Sequence, residues 1–294
     1  MDADLYAYIT RYSNKFQGMN KIVEKEQLND IVVKLVIDAP RIAKKRKAGH
    51  FVILKINDKG ERIPLTIADA DPEKGTITLV IQKVGVTSHK LFLMDKGDYI
   101  DDVVGPLGHA TEISRVGTVL CAGGGVGIAP LLPIARAFKE AGNRVITVLA
   151  ARNKDLIILE DEMRACSDEI IIMTDDGSYG KQGLVTHGME EVLQREKVNL
   201  AVTIGPAIMM KFASLTTKKY NVPTIASLNT IMVDGTGMCG ACRVTVDGKT
   251  KFVCVNGPEF DAHKIDYDEM IMRLGAYQEQ ERKDYGEFLQ KLGN

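Results

Sequence analysis

Residues 117–143 read GTVLCAGGGVGIAPLLPIARAFKEAGN, and this stretch decides the fold. It begins with an apolar strand pattern, turns through glycines, and continues with apolar residues at helical spacing until Gly142. Glycines permit a tight turn and let a pyrophosphate approach the start of a helix, where free N–H groups favour anions. The stretch predicts the first strand–turn–helix unit of a nucleotide-binding domain, although a turn without a ligand would have a similar sequence. The candidate contacts are Gly123, Gly124, Gly125, Val126, Gly127 and Pro130.

The same alternation continues downstream of this stretch. Strand-like segments alternate with segments of helical period; they read RVITVLAAR, EIIIMTDD and NLAVTIGP. Such alternation predicts βαβ units and a parallel sheet. We therefore expect a Rossmann-like α/β domain over residues 113–226.

Polar residues and glycines follow each predicted strand of this domain. Ligands of open α/β sheets bind outside the carboxyl ends of the strands, so these positions are candidate nucleotide contacts. Arg152 could hold a 2′-phosphate, which Asp155 would oppose, so the choice between NAD and NADP stays open. Asp175 and Asp176 would either accept a hydrogen bond from a ribose or cap a turn. The candidates are Arg152, Asp176, Gly177, Gly205, Pro206 and Met209.

Upstream, residues 19–112 contain short β-branched segments separated by turn signals. This spacing predicts a small antiparallel barrel of about six strands. Within it, ERIPLTIAD (61–69) and VGVTSHKL (84–91) offer groups that could contact phosphates: Arg62, Pro64, Thr66, Gly85, Thr87 and Ser88. From the residues alone, an exposed strand arginine and a β-forming threonine are the favoured explanation of the first segment.

A cysteine cluster follows in residues 227–274. MVDGTGMCGACRV (232–244) holds Cys239 and Cys242, and Cys254 lies further on. The plant-type [2Fe–2S] framework is C-x4-C-x2-C…C, and its first position falls here on Asp234. Cys121 and Cys166 are the other candidates for a fourth ligand. Zinc, which accepts three thiolates and a carboxylate, is the rival metal.

The composition excludes several classes of protein. A formal net charge of −1 without a long Lys/Arg block argues against nucleic acid or anionic membranes as partners. No segment has the length and polarity of a membrane span or a signal peptide, and clustered thiols suggest a reducing compartment. We expect a cytoplasmic protein. Residues 1–18 receive no function because Met19 could be a start, and residues 275–294 predict a helical tail that is either solvated or packed on a partner.

The order of these segments resembles the ferredoxin reductase flavoprotein superfamily over residues 21–226. The resemblance implies a multidomain α+β and α/β protein with a flavin-binding antiparallel barrel, a Rossmann-like nucleotide domain and a small [2Fe–2S] domain. It also implies that the barrel strand holds the flavin, that the following turn holds its pyrophosphate, and that the second domain binds a nicotinamide nucleotide. The implied flavin contacts are Arg62, Pro64, Leu65 and Thr66, followed by Gly85, Thr87 and Ser88.

Further motifs narrow the resemblance. Electron-transfer subunits of dihydroorotate dehydrogenase share the domain order but normally carry four cysteines. The chain is more similar to the small (alpha) subunit of NADH-dependent reduced ferredoxin:NADP oxidoreductase over residues 19–274, through DVVGPLG, DDGSYG, GPAIMMKF, IASLNTIMVDGTGMCGACRVTV and GPEFD. That family implies FAD, NAD(H) and a [2Fe–2S] cluster held by Asp234, Cys239, Cys242 and Cys254.

The same resemblance implies a partner and an activity. The partner is a larger flavoprotein subunit with a second FAD, [4Fe–4S] clusters and an NADP site. The complex bifurcates electrons among NADP(H), NAD(H) and ferredoxin, and this chain is its NAD side. Two alternatives stay open: the electron-transfer subunit of an NAD-dependent dihydroorotate dehydrogenase, and a zinc-stabilised nucleotide-binding regulatory protein.

Overall fold

A computed structural model of the chain describes residues 20–292. The predicted N-terminal extension, residues 1–18, lies outside the described residues. Within 20–292, none of the helices combines the length and apolar character needed to cross a bilayer.

The first unit is a six-stranded antiparallel sheet in the order β1-β2-β5-β4-β3-β6. Its strands alternate buried and less buried residues, and the buried ones, such as Leu35, Leu54 and Leu79, fill one core. The predicted antiparallel barrel is confirmed. Its elements are β1 (Ile22–Asn29), β2 (Val32–Asp38), α1 (Pro40–Ala43), β3 (Phe51–Lys55), β4 (Arg62–Asp71), β5 (Thr76–Gln82), α2 (Val86–Leu93) and β6 (Asp102–Leu107).

The second unit is the predicted α/β domain, which is likewise confirmed. Its elements are β7 (Thr118–Gly124), a 3-10 turn (Gly125–Gly127), α3 (Ile128–Glu140), β8 (Arg144–Ala151), a 3-10 turn (Lys154–Leu156), α4 (Glu160–Ala165), β9 (Glu169–Thr174), β10 (Lys181–Gln182), α5 (Val185–Arg195), β11 (Leu200–Ile204), α6 (Ala207–Lys219) and β12 (Thr224–Ser227).

The strand order of this sheet locates its binding edge. The order is β10-β9-β8-β7-β11-β12-β15, and the strands up to β12 are parallel. The chain runs outward from β7 through β8 and β9, then returns to β11 on the other side of β7. Strand order therefore reverses at β7, and the crevice at such a switch point is where open α/β sheets bind ligands.

The third unit carries the cysteines and is joined to the other two. Its elements are β13 (Arg243–Val246), β14 (Lys249–Phe252), α7 (Val253–Asn256), β15 (Glu259–Asp261), a 3-10 turn (Ala262–Lys264), α8 (Tyr267–Leu274) and α9 (Gln278–Leu292). Strand β15 pairs antiparallel with β12 and so extends the sheet of the second unit. One apolar core combines Phe51 of the barrel, Met210 of α6 and the buried Cys242 and Cys254. The boundaries at residues 112, 226 and 274 stay predictions.

Candidate functional site

A cavity of about 1840 Å³ lies where the three units meet, at the switch point beside β7. It brings together most of the predicted flavin and nucleotide contacts, although they are spread over more than a hundred residues of sequence. The predicted residues that line it are Arg62, Pro64, Leu65, Thr66, Gly85, Thr87, Ser88, Gly124, Gly125, Val126, Gly127, Pro130, Arg152, Gly205, Pro206 and Met209.

Strand β4 provides one wall of the cavity. Its first half, up to Thr66, is exposed or half-buried, whereas Ile67 is buried in the barrel core and Ala68 in the core around α3. The guanidinium of Arg62 lies 4.0 Å from the Asp102 carboxylate, so this pair is weak and leaves the cation accessible to an anion in the cavity. The strand is therefore built to hold a group along its first half.

The start of α2 provides the adjoining wall. The Ser88 hydroxyl accepts hydrogen bonds from the N–H groups of Val84 and Gly85, each at 3.0 Å, and so caps the helix. The Thr87 hydroxyl donates to the Glu61 carboxylate at 2.9 Å. Both hydroxyls are thus engaged within the protein. The free N–H groups of the first helical turn are what this wall offers to a phosphate.

The glycine turn between β7 and α3 forms the wall on the nucleotide side. A Cβ on Gly127 would lie 2.6 Å from the Ile204 carbonyl oxygen, so a side chain cannot fit there. Gly125 has φ +56°, and no atom within residues 20–292 would lie within 4 Å of a Cβ placed on it. Packing thus requires glycine at position 127. Gly125 leaves open space in which a pyrophosphate can approach the backbone. These residues fit a dinucleotide.

Three predicted nucleotide contacts do not line the cavity: Gly123, Asp176 and Gly177. A Cβ on Gly123 would lie 2.9 Å from Leu131 Cδ2, which indicates a packing role. The Asp176 carboxylate accepts the Ser178 N–H at 2.9 Å, and hydrogen bonding from Ser178 lowers the pKa of Asp176. Of the two roles left open for Asp176, the structure displays turn capping, and Asp175 is the carboxylate that borders the cavity.

Sequence reasoning missed other residues that line the cavity. They include Glu61 and Gln82 of the barrel, Lys219 of α6, residues 227–229 and 231–233 ahead of the cysteines, and Tyr277, Gln280, Glu281 and Asp284 near the C-terminus. Their local sequences are ordinary for exposed strands, loops and helices. Only the packing of the units brings them to the cavity, so a single sequence carried no local signal for them.

The four predicted cluster ligands lie on one loop and on the short helix α7 that follows β14. The buried Cys242 and Cys254 have their Sγ atoms 3.2 Å apart, while Cys239 is exposed. The Asp234 carboxylate accepts the N–H groups of Thr236 at 2.8 Å and Cys239 at 3.0 Å. Within residues 20–292, no three His, Cys, Asp or Glu side chains are arranged to share a metal ion.

The electrostatics link these groups. Burial, together with the neighbouring Cys242 thiol and the Asp234 charge, raises the pKa of Cys254 to about 12. Hydrogen bonds from the Thr236 and Cys239 N–H groups lower the pKa of Asp234 and keep its carboxylate ionised. A cation offsets the cost of deprotonating buried thiols, so this donor set fits a thiophilic metal centre. Glycines 235, 237 and 240, all at positive φ, let the loop curve around it.

The two other candidate ligands lie elsewhere. Cys121 on β7 and Cys166 after α4 are buried in the core that surrounds α3. Cys242 and Cys254 belong instead to the core shared by α6, β12 and the third unit. Burial raises the pKa of both Cys121 and Cys166, as expected for thiols that serve as small apolar side chains.

Two family models match the chain. The oxidoreductase NAD-binding domain matches residues 122–215, and the iron–sulfur cluster binding domain of dihydroorotate dehydrogenase B matches residues 229–266. The predicted third unit with a cluster-binding role is thereby confirmed.

Two curated relatives illustrate the similarity along the chain. The dihydroorotate dehydrogenase B (NAD(+)) electron transfer subunit homolog of Thermotoga maritima is 50% identical over 276 residues, 94% of this chain and 98% of the relative. The dihydroorotate dehydrogenase B (NAD(+)) electron transfer subunit of Streptococcus thermophilus is 32% identical over 254 residues, 83% of this chain and 96% of the relative.

Solved structures agree with this similarity. One is a chain of the NADH-dependent reduced ferredoxin-NADP oxidoreductase, a structure reported for its insights into flavin-based electron bifurcation. It superimposes with a TM-score of 0.88 at 49% identity and covers 92% of this chain and 98% of that chain. The Amycolatopsis cytochrome P450 reductase, with a TM-score of 0.59, 20% identity and coverage of 69% and 65%, shares the fold alone.

Proposed function

We propose the function from one premise: the chain belongs to the family of dihydroorotate dehydrogenase B electron-transfer subunits and their homologues. It is an oxidoreductase subunit that uses FAD, NAD(H) and a [2Fe–2S] cluster. We propose that it forms the NAD side of a flavin-based electron-bifurcating ferredoxin:NADP oxidoreductase. The observation that carries the proposal is the single cavity bordered by β4, by the glycine turn and by the segment that leads into the cluster loop.

When bound, FAD would accept a hydride from NADH, and the [2Fe–2S] cluster would carry its two electrons onward one at a time while the proton is released to solvent. The protein positions the groups. No general acid or base is required for hydride transfer, so the five histidines need no catalytic role.

On the flavin side, the chain supplies charge and backbone. Arg62 offers a cation to the diphosphate, and the N–H groups at the start of α2 offer hydrogen bonds to the same group. The Ser88 cap holds that helical turn in place, and the Thr87–Glu61 hydrogen bond ties it to the strand that bears Arg62. Pro64 and Leu65 expose backbone and an apolar surface between these anchors.

On the nicotinamide side, Gly125 and Gly127 set the backbone on which the NAD pyrophosphate would rest. Met209 packs against Gly124 and Gly205, so α6 and the glycine turn form one continuous surface. Arg152 and Asp175 both line the cavity at the ends of neighbouring strands. The carboxylate favours a free ribose 2′-hydroxyl, and we assign NAD rather than NADP on that basis.

We assign the cluster to Cys239, Cys242, Cys254 and Asp234. The assignment of Asp234 rests on the plant-type spacing and on its proximity to Cys239 and Cys254. The cavity wall runs through residues 227–233, and Val233 precedes Asp234 directly. The cluster loop therefore continues from the wall of the flavin cavity, which provides a short route for electrons.

The surface around the loop suits a partner. Val233, Met238 and Met272 are 50%, 88% and 70% exposed, and Cys239 is exposed beside them. Exposed apolar side chains next to a redox centre are typical of protein interaction sites. We propose that a larger flavoprotein subunit with [4Fe–4S] clusters and an NADP site docks here, and that ferredoxin receives electrons through the complex. A cytoplasmic location stays a prediction.

The test is the cofactor content of the anaerobically purified chain. We expect a brown-yellow protein with one flavin, about two irons per chain and NADH-dependent dye reduction. A colourless protein with bound zinc and no flavin would contradict the proposal. The similarity to dihydroorotate dehydrogenase B subunits favours a second candidate, an orotate-linked complex. Co-purification with an orotate-reducing partner, rather than an NADP-binding flavoprotein, would select that candidate.

A further inference from the structure

The C-terminal helix α9 turns one face toward the flavin cavity. Tyr277, immediately before the helix, lines the cavity together with Gln280, Glu281 and Asp284. These positions are spaced three or four residues apart, so they lie on one side of the helix. Neither family model reaches this segment, since the second one ends at residue 266.

Few contacts hold α9 against the rest of the protein. Within residues 278–292, Tyr285 and Phe288 are half-buried and the other side chains are exposed. The Tyr285 hydroxyl lies 2.9 Å from Nδ1 of His89 on α2. The Phe288 ring meets the His89 ring edge-on at 5.4 Å, and the Lys90 ammonium lies 5.8 Å from the Phe288 ring centre. These contacts place α9 along α2 rather than along the glycine turn.

This position identifies the part of the flavin that α9 faces. The start of α2 and Arg62 offer hydrogen bonds and charge to the diphosphate, so the space beside α2 suits the adenosine end of FAD. The carboxylates of Glu281 and Asp284 would repel phosphate, but they accept hydrogen bonds from ribose hydroxyls and an adenine amino group. The ring of Tyr277, 62% exposed, offers a face for stacking.

We infer that Tyr277, Gln280, Glu281 and Asp284 form the adenosine-binding wall of the flavin site, and that α9 docked on α2 retains FAD. The inference rests on the proposed function, because it needs FAD in this cavity. Since α9 buries little of its own surface, flavin contacts and helix docking stabilise each other. FAD binding and helix docking are thus linked equilibria.

FMN, which contains the isoalloxazine and one phosphate but no adenosine, provides the test. A chain ending at Ala276 and the full-length chain are stripped of flavin and titrated with FAD and with FMN, following flavin fluorescence. We expect the truncation to raise the Kd for FAD at least about tenfold, the size of one lost stacking contact, and to change the Kd for FMN less than about twofold. An unchanged Kd for FAD, or equal losses for FAD and FMN, would overturn the inference.

Point variants separate lost contacts from misfolding. Tyr277→Ala should weaken FAD binding and leave FMN binding unchanged, whereas Tyr277→Phe, which keeps the ring, should bind both flavins as the native chain does. Lys283→Ala on the exposed part of α9 is the matched control and should change neither. A Tyr277→Ala chain that holds FAD normally would count against the stacking role. A full-length chain that binds neither flavin would instead refute the proposed function.

Discussion

The glycine turn at residues 123–127 and the cluster loop at residues 232–254 are both rich in glycine and are both proposed cofactor sites, yet the structure organises them differently. The turn lies at the end of β7, which is hydrogen-bonded to β8 on one side and β11 on the other. Its backbone is held by packing against Ile204, Gly205 and Met209. The nucleotide site is therefore built by the protein itself.

The first part of the cluster loop is not held between paired strands, although Gly235 packs closely against Ile53 and Leu107. Within the described range 228–242, the backbone forms neither helix nor strand, and only Cys242 and Cys254 touch through their sulfurs. Cys239 faces solvent, and Asp234 bonds to the loop backbone. Metal binding supplies the energy that gathers ligands in such loops. The comparison teaches that strand pairing and packing alone hold the glycine turn, whereas the proposed cluster ligands still need a metal to gather them.

The largest expected effect is on the cluster loop. Cys254→Ala should abolish the cluster, because three ligands cannot satisfy it, and iron per chain should fall to background. The flavin should remain, since its cavity walls stand apart from Cys254. Cys166→Ser, in the core around α3, is the control and should leave the iron content unchanged. A normal iron content in Cys254→Ala would show that Cys254 is not required to bind the cluster.

The next effect concerns Asp234, the proposed fourth ligand. Asp234→Cys should keep a [2Fe–2S] cluster but change its EPR g-values, because a thiolate replaces a carboxylate on the iron. Asp234→Ala should lower cluster content or alter the spectrum. The measurements are EPR of the reduced protein and iron per chain. Native spectra in Asp234→Ala would show that another group is the fourth ligand.

A substitution in the glycine turn should reduce both the stability of the protein and its affinity for NAD(H). Gly127→Ala places a methyl group 2.6 Å from the Ile204 carbonyl oxygen, so the backbone must shift. We expect a loss of about 2–3 kcal/mol in the free energy of unfolding and weaker NAD(H) binding, with cluster content unchanged. Thermal melting and NAD(H) titration measure these effects. Gly286→Ala is the control, since no neighbouring atom obstructs a Cβ there. Equal stability of both variants would remove the contrast between the two regions.

The smallest expected effect concerns Glu259 on β15, the strand that joins the cluster unit to the α/β sheet. Burial raises the pKa of Glu259 to about 7, although the Thr111 hydroxyl donates to it at 2.6 Å. Between about pH 4.5 and 7 the unfolded chain has lost a proton that the folded chain keeps. This group therefore lowers stability as pH rises through that window, by about 2 kcal/mol between pH 5 and pH 8.

Glu259→Gln removes this titration and retains an oxygen that can accept from Thr111. We expect the variant to gain stability relative to the native chain at pH 8 and to gain much less at pH 5. Denaturant unfolding at the two pH values measures the difference. Glu24→Gln, at an exposed site on β1, should show no such pH dependence of its effect. If the stability difference between Glu259→Gln and the native chain were the same at both pH values, the pKa of Glu259 would not differ between the folded and unfolded states.

Local patterns predicted much of the site. The glycine turn, the segment Arg62–Thr66 of β4 and the start of α2 were recognisable because each is a short segment whose chemistry lies within a few neighbouring residues. Asp234 was predicted as the fourth ligand from the spacing of the cysteines, which is a property of the sequence and does not depend on folding. Asp175 borders the cavity, whereas the Asp176 carboxylate accepts a hydrogen bond from Ser178 within the turn. The two residues are alike in sequence, and only the folded turn distinguishes them.

The sequence by itself determined the order of barrel, parallel α/β sheet and cysteine loop, since hydrophobic period and glycine position are local properties. The tertiary structure alone decided which distant residues share the cavity. It alone placed Tyr277 and Asp284 at the cavity, and it alone enclosed Glu259 next to Thr111. The physical reason is that burial and the carboxyl pKa depend on what packs against a side chain, and those neighbours come from other parts of the chain.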